Sequence, residues 1–248
     1  MANLAKNGGS KAITRALGAT WPIWDEREEK ALLETLHSGV WWRGGHKDES
    51  KSQVARFEDE FGAFQGARHC VAVTNGTQAI ECALKALGVG PGDDVLVPAL
   101  TFVASATAIA LVGATPVFVD VDPGTYNIDA GAMEAAITPA TKAAVVVHNG
   151  GYPVDMDRVM DVAERRGLKI VEDCAHAHGT QWNGKGAGSI GHFGTFSFQM
   201  GKTLTCGEGG VVRVRVVHAE APGEELRGAG HELHQPACPR ARDGRGVE

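Results

Sequence analysis

Short runs of valine, isoleucine and alanine, separated by segments of helical periodicity, constrain the fold of this chain more than any other feature. We predict strands at residues 70–73, 94–97, 116–120, 144–148, 168–173, 195–198 and 210–214, and helices at 26–36, 52–64, 76–87, 102–112, 133–137 and 156–166. Most of these strands are continuously apolar, which is typical of strands that helices cover on both faces. The pattern predicts an α/β fold with a mainly parallel central sheet flanked by helices.

Composition and charge exclude several classes of protein. The 248 residues are 43% hydrophobic, and 24 Lys and Arg stand against 30 Asp and Glu, so the chain has a core and no excess of basic residues for nucleic acid. No apolar run approaches the roughly 18 residues of a membrane span. The first residues lack the apolar core of a secretory signal. Five cysteines, an odd number without a C-x-x-C pair, suit reduced thiols in the cytoplasm.

Changes in composition predict three segments. Residues 1–50 form an N-terminal arm with one short helix, residues 51–217 form the large domain, and residues 218–248 form an irregular tail with few large aliphatic residues. The Trp41-Trp42 pair beside Gly44-Gly45 reads as a loop. It packs either on its own domain or a partner subunit, or it covers a substrate site.

In parallel sheets, catalytic residues lie at the carboxyl ends of the strands. Three segments of this chain lie at the ends of predicted strands. The first is Thr74-Asn75-Gly76-Thr77, between a strand and a helix. Free N–H groups and a hydroxyl at a helix N-terminus bind anions such as phosphate. The alternative is an ordinary threonine cap of the helix.

The second segment is Glu172-Asp173-Cys174-Ala175-His176-Ala177-His178-Gly179. Asp173 ends a buried strand, where a carboxylate needs a cation or N–H groups as partners. If the chain stays extended, Cys174, His176 and His178 share a face that suggests a metal site. Because Gly179 and the two alanines indicate that the strand has ended, we expect no metal, and we favour a pairing of Asp173 with a protonated ring nitrogen of a cofactor.

The third segment contains Gly201-Lys202-Thr203, which is similar to the end of a phosphate-binding P-loop. That motif requires a glycine six residues before the lysine, where this chain has Phe196, so a nucleotide-binding P-loop is disfavoured. Apolar and small residues surround Lys202 in the sequence. Burial among them favours the neutral amine that Schiff-base chemistry requires.

Together the three segments suggest pyridoxal 5'-phosphate (PLP). This cofactor needs a lysine for its Schiff base, an acid for its ring nitrogen and an anion site for its phosphate. Lys202, Asp173 and the turn at Gly76 and Thr77 supply one of each.

The chain resembles the DegT/DnrJ/EryC1/StrS family of PLP-dependent aminotransferases, from about residue 10 to residue 214. The segments that carry the resemblance are Thr74 to Thr77, Pro98-Ala99-Leu100-Thr101-Phe102-Val103-Ala104, Pro116-Val117-Phe118-Val119-Asp120-Val121, Glu172 to Gly179, and Phe196-Ser197-Phe198 through Lys202 to Gly207-Glu208-Gly209-Gly210. The resemblance implies the large domain of a fold type I PLP-dependent transferase, and it implies homodimers.

The resemblance also assigns roles to residues of this chain. Lys202 is implied to be the Schiff-base lysine and proton carrier, and Asp173 the partner of the ring nitrogen. Phe102 takes the place of the aromatic residue that stacks on the cofactor ring, and His176 lies near the cofactor 3'-oxygen. Gly76, Thr77 and Ser197 hold the phosphate.

The opening segment and the Trp-Arg-Gly-Gly loop are similar to the branch that acts on inosose cyclitols and on aminohydroxybenzoate precursors. This implies glutamine or glutamate as amino donor and a keto-sugar or keto-cyclitol as acceptor, as in antibiotic biosynthesis. The loop Asn149-Gly150-Gly151-Tyr152-Pro153 and Gly201 depart from the family pattern; both are expected to leave the chemistry intact and to tune the fit of the substrate.

After Val214 we expect the resemblance to end and the tail to be disordered or frameshifted, with the C-terminal small domain missing. Two main hypotheses follow: an active aminotransferase, or a truncated protein of the same fold that binds the cofactor without turnover.

Overall fold

The computed structural model of the chain describes residues 4–14, 21–67 and 69–215. Its strands are β1 (His69–Val73), β2 (Asp94–Pro98), β3 (Thr115–Val119), β4 (Thr141–Val147), β5 (Lys169–Asp173), β6 (Gln181–Trp182), β7 (Lys185–Gly186), β8 (Phe193–Ser197) and β9 (Gly210–Val214). Its α-helices are α1 (Glu26–Ser38), α2 (Gln53–Phe64), α3 (Gly76–Ala86), α4 (Ala104–Leu111), α5 (Ala130–Ala135) and α6 (Met156–Arg166).

Seven of the described strands form one sheet in the order β1-β9-β8-β5-β4-β2-β3, and β6 pairs with β7 in a small hairpin. Four pairings are parallel, whereas β9 runs antiparallel to both β1 and β8. Because β1 and β8 are both antiparallel to β9, these two strands run in the same direction. The carboxyl ends of β1, β2, β4, β5 and β8 therefore lie at one edge of the sheet. The predicted α/β fold with a mainly parallel sheet is confirmed.

Strand β4 shows why this sheet needs helices on both of its faces. Ala143, Val145 and Val147 belong to a core cluster that includes residues of α3 and α4. Ala144 and Val146 point the other way and join a second cluster with residues of α5 and α6. Alternate side chains of one strand therefore enter two separate cores, as the continuous apolar run predicts.

Three of the differences between the predictions and the structure have an identifiable physical reason. Helix α5 begins at Ala130, three residues earlier than predicted, because the Asp129 carboxylate caps it by accepting the Ala132 N–H. Strand β1 was predicted to be buried, but Val71 is 52% exposed because β1 is at the edge of the described sheet. The hairpin of β6 and β7 was not predicted, since two-residue strands carry no periodic signal.

The N-terminal segment contributes little to the cores. Helix α1 begins with a capping box formed by Asp25 and Glu28, and none of its residues is buried by the described chain. The Arg43 Nε–H donates to Glu58 at 2.7 Å, and Glu58 also accepts the Ala72 N–H, which ties the arm to α2 and β1. The predicted domain boundaries stay predictions, and residues 218–248 lie outside the described residues.

No helix in the described part of the chain has the length and apolarity needed to cross a membrane. The four cysteines described by the structure, Cys70, Cys82, Cys174 and Cys206, are free thiols.

A third core cluster lies beside α2 and encloses a histidine. The ring of His178 packs against the rings of Phe61, Phe196 and Phe198, with centroids 5.2 to 6.4 Å away. Neither ring nitrogen has a hydrogen-bond partner among the described residues. Burial lowers the pKa of His178 to about 4, although the backbone of Ser197 opposes the shift.

We expect the wild-type protein to lose stability in mild acid because of His178. Replacing His178 with phenylalanine should abolish this loss. The folded chain excludes a proton that the unfolded chain binds between pH 6.5 and about 4, so the stability is present above pH 6.5 and is lost as pH falls towards 4. Across this window the wild type should lose about 2 kcal/mol more of its free energy of unfolding than His178→Phe, after allowance for solvent at this half-buried ring. Urea unfolding at pH 7 and pH 4 measures the difference, with His37→Phe on exposed α1 as control. Equal losses in wild type and His178→Phe would contradict the prediction.

Candidate active site

One cavity of about 500 Å³ lies at the edge of the sheet where the parallel strands end. All seven residues predicted for the site line it: Gly76, Thr77, Phe102, Asp173, His176, Ser197 and Lys202. They come from the segments after β1, β2, β5 and β8, which are distant in sequence. The sheet topology therefore brings the three predicted segments together.

The first wall of the cavity is the N-terminus of α3. Asn75 is the cap of this helix, because its side-chain oxygen accepts the Gln78 N–H at 2.9 Å. Within the described part of the chain, the N–H groups of Gly76 and Thr77 have no acceptor. The alternative of a threonine cap is thus wrong, and two N–H groups at a helix N-terminus remain available to an anion.

Ser197, at the end of β8, lies directly against this helix N-terminus. A Cβ atom added at Gly76 would come within 2.8 Å of Ser197 Cβ, which is closer than real side chains approach. The glycine therefore keeps open the space between α3 and the serine hydroxyl. This produces a small concave site of N–H and O–H donors, suited to a phosphate group.

Asp173 supplies a buried carboxylate at the end of β5. It is 6% exposed, and no lysine, arginine or histidine of the described chain forms an ion pair with it. Its Oδ2 accepts from the Ser105 hydroxyl at 2.8 Å, and its Oδ1 accepts the Ala175 N–H at 3.1 Å. A buried carboxylate that faces a cavity without a cationic partner can receive a cationic ligand.

Lys202 lies in the loop between β8 and β9, and its N–H donates to the Gln199 carbonyl. No described carboxylate forms an ion pair with its ammonium group. The expected burial of Lys202 is only partly correct: the side chain is half-buried, and Met200 and Leu204 beside it are exposed. The reason is that this loop lies on the surface of the described chain. The next described element after Lys202 is strand β9 and not a helix, so the P-loop alternative lacks its required context.

His176 and Phe102 complete the walls. The Nδ1 atom of His176 accepts the Gly150 N–H at 3.3 Å, which leaves Nε2 as the protonated nitrogen of a neutral ring. Burial and the nearby charge of Lys202 lower the pKa of His176, against the opposing charge of Asp173, and so favour this neutral form. The Phe102 ring is 69% exposed at the cavity, so it is not part of the core.

The metal alternative at Cys174, His176 and His178 is wrong, because the chain turns immediately after β5. The Ala177 N–H donates to the Cys174 carbonyl, and Cys174 and Ala177 enter the third core. A different set, His148, Glu172 and Cys174, lies close enough to share an ion. The Glu172 oxygens are, however, already occupied by N–H donors, and His148 Nδ1 accepts the Val154 N–H.

Two expectations near the site concern tryptophans. The pair Trp41 and Trp42 lines a separate hollow between α1 and α2, so the description as a cover over the substrate site is wrong for the described chain. Trp21 instead reaches the site region: its indole N–H donates to the carbonyl of Met200, two residues before Lys202.

Sequence reasoning also missed Thr101 and Ser105. Thr101 lines the cavity, and the Thr101 and Ser105 hydroxyls are 2.9 Å apart. The one signal in the sequence is that Ser105 interrupts an apolar run.

Known proteins are similar to this chain in sequence and fold. A 3-amino-5-hydroxybenzoate synthase from Amycolatopsis mediterranei is 47% identical over 192 residues, which cover 77% of this chain and 48% of that protein. An L-glutamine:2-deoxy-scyllo-inosose aminotransferase from Streptoalloteichus tenebrarius is 45% identical over 231 residues, 92% of this chain and 54% of that protein. The chain thus spans about half the length of the curated relatives it matches.

Solved structures give the same result. The crystal structure of 3-amino-5-hydroxybenzoic acid synthase superposes with a TM-score of 0.77 at 46% identity, covering 82% of this chain and 51% of that one. A Streptococcus pneumoniae structure, described as a sugar aminotransferase in its PLP-form, gives a TM-score of 0.73 at 34% identity, covering 79% and 52% of the two chains.

The sequence model of the DegT/DnrJ/EryC1/StrS aminotransferase family matches residues 22–232. The match extends beyond Val214, where we expected the resemblance to end. It includes every residue of the cavity described above. The chain belongs to the DegT/DnrJ/EryC1/StrS aminotransferase family.

Proposed function

We propose that this chain is a PLP-dependent aminotransferase that transfers an amino group from glutamine or glutamate to a keto-cyclitol or keto-sugar. The observation that carries the proposal is one cavity that combines a lysine without an ion pair, a buried carboxylate without a cation and a helix N-terminus with free N–H groups. These three features match the amine, ring nitrogen and phosphate needs of PLP.

The residues present fit this cofactor. Gly76, Thr77 and Ser197 would hold its phosphate, because a Cβ at position 76 would fill the site that they form. Asp173 would pair with the ring nitrogen, Phe102 would stack on the ring, and the Nε2–H of His176 would donate to the 3'-oxygen.

PLP, when bound, acts as an electron sink for the carbon next to the transferred nitrogen. Asp173 would favour this action by keeping a proton on the ring nitrogen. The Lys202 Nζ would take the proton from the donor's α-carbon and deliver it to the C4' carbon of the cofactor.

A second hollow of about 280 Å³ supports the assignment of a bulky acceptor. It shares Ala175, His176 and Lys202 with the main cavity, and its other lining residues are Gly150, Gly201 and Thr203. Two of these residues are the glycines that depart from the family pattern, and their missing side chains leave room for a ring. A polyhydroxylated ring in this hollow would reach the Thr203 hydroxyl and His176.

The names of the related proteins support the proposed substrate class and amino donor. Several are named as L-glutamine:2-deoxy-scyllo-inosose aminotransferases, and one as an L-glutamine:scyllo-inosose aminotransferase. We extend glutamine and a keto-cyclitol to this chain on that similarity, in antibiotic biosynthesis. A homodimer and a cytoplasmic location complete the proposal; the free cysteines agree with a reducing compartment. The second hypothesis, cofactor binding without turnover, differs only in the response to donors.

Lys202→Ala is expected to abolish the yellow absorption band that the chain forms with added PLP. The band requires a covalent bond between the cofactor and an amine, and Lys202 supplies the amine at this cavity. The spectrum of the purified chain with PLP measures it, and the exposed lysine variant Lys185→Ala is the control. Bleaching of the wild-type band by glutamine or glutamate supports a working donor reaction. A band that resists both donors favours binding without turnover, and a band that persists in Lys202→Ala would contradict the role of Lys202.

Gly76→Ala is expected to weaken the binding of PLP by about tenfold or more, because the new Cβ overlaps Ser197 and several charge-assisted hydrogen bonds to phosphate are lost. The binding of pyridoxal, which lacks the phosphate, should change much less. Absorbance titrations with both compounds measure the ratio. Gly90→Ala is a matched control, since a Cβ there meets no atom closer than 4.0 Å. A parallel loss for both compounds would argue against a phosphate site at Gly76.

A further inference from the structure

A buried hydroxyl stands behind the carboxylate of Asp173. Ser105, in the first turns of α4, is 1% exposed, and its Oγ donates to Asp173 Oδ2 at 2.8 Å. Thr101 Oγ1 lies 2.9 Å from Ser105 Oγ on the other side. The three groups form a chain of hydrogen bonds from the cavity wall to the far side of the carboxylate.

The donors of this chain can be assigned. A serine hydroxyl has a single proton, and that of Ser105 is donated to Asp173 Oδ2. Ser105 therefore accepts from Thr101, whose hydroxyl is the first donor. Hydrogen bonds aligned in this way strengthen one another in a buried setting.

We propose that Ser105, supported by Thr101, is a positioning residue that holds the Asp173 carboxylate in the orientation needed by a cationic ring nitrogen. Asp173 has no counterion in the described chain, and Ser105 and the Ala175 N–H each donate to one of its oxygens. Donors on both oxygens restrict the rotation of the carboxylate. This inference rests on the proposed function, since the cation it serves is the ring of PLP.

The position of Ser105 explains why the contact is specific. Asp173 ends β5 on the face of the sheet that α3 and α4 cover, and α4 presents Ser105 to that face. Loss of the hydroxyl leaves Oδ2 without its donor and allows the carboxylate to rotate away from the cofactor. Lys202 is not part of this chain of hydrogen bonds, so formation of the yellow band should survive.

Ser105→Ala is therefore expected to keep the yellow band but to raise the dissociation constant of PLP about tenfold, the effect of one hydrogen bond to a charged group. The visible circular dichroism of the bound cofactor, which reports how rigidly the ring is held, should fall as well. Ser105→Thr, which keeps the hydroxyl, should restore the signal. Thr107→Ala is the matched control, because that hydroxyl is exposed on the same helix and donates only to the Val103 carbonyl.

The variant Thr101→Val tests whether Thr101 acts through Ser105 or through direct contact with the cofactor. If Thr101 acts through Ser105, it should weaken PLP binding by less than Ser105→Ala does, and the double variant should bind as weakly as Ser105→Ala alone. If the losses of PLP affinity add in the double variant, Thr101 acts independently of Ser105. That result would contradict the proposed series of hydrogen bonds.

Unfolding of the cofactor-free protein tests the contact independently. The urea midpoints of Ser105→Ala, Asp173→Asn and the double variant should show losses that do not add, because both single changes break one contact. Additive losses, or a Ser105→Ala chain with wild-type affinity and circular dichroism, would overturn the proposal. A wild-type chain that shows no band contradicts the proposed function instead, and the unfolding cycle still decides whether Ser105 holds Asp173.

Discussion

The site depends most on the hydrogen bonds that the buried carboxylate of Glu172 accepts. This carboxylate is 0% exposed, and it accepts four hydrogen bonds, from His148 Nε2 and from the N–H groups of Gly188, Ile190 and Gly191. Because His148 Nδ1 accepts the Val154 N–H, the histidine is a neutral donor, and the pair is a hydrogen bond between a neutral ring and an anion. Burial raises the pKa of Glu172, but the hydrogen bonds of His148 and the backbone outweigh it and hold the pKa below its usual value.

Glu172 and Asp173 show how one strand serves structure and chemistry. Neighbouring residues of a strand point to opposite faces, so the two buried carboxylates at the end of β5 enter different environments. Glu172 is saturated by donors and fixes the segment that leads to β8. Asp173 receives only two described donors and faces the cavity. The saturated carboxylate holds the strand end in place, and the unsaturated one is left for a ligand.

The sequence predicted much of this arrangement, for identifiable reasons. Continuous apolar runs such as β4 identified the two-sided sheet, and the segments at Gly76, Asp173 and Lys202 identified the cavity because parallel strands end at one edge. The edge position of β1 and the direction of β9 could not be predicted, since both depend on pairing between residues far apart in sequence. Ser105 was missed for a related reason: a serine in an apolar helix has no meaning until the carboxylate opposite it is known.

The central claim is that this cavity binds PLP through Lys202. It is tested most directly by treating the PLP-loaded chain with borohydride, which makes the bond to lysine permanent, and by mapping the modified peptide with mass spectrometry. The account predicts one pyridoxyl group, on the peptide that contains Lys202. Modification of another lysine, or equal labelling of many exposed lysines, would contradict it.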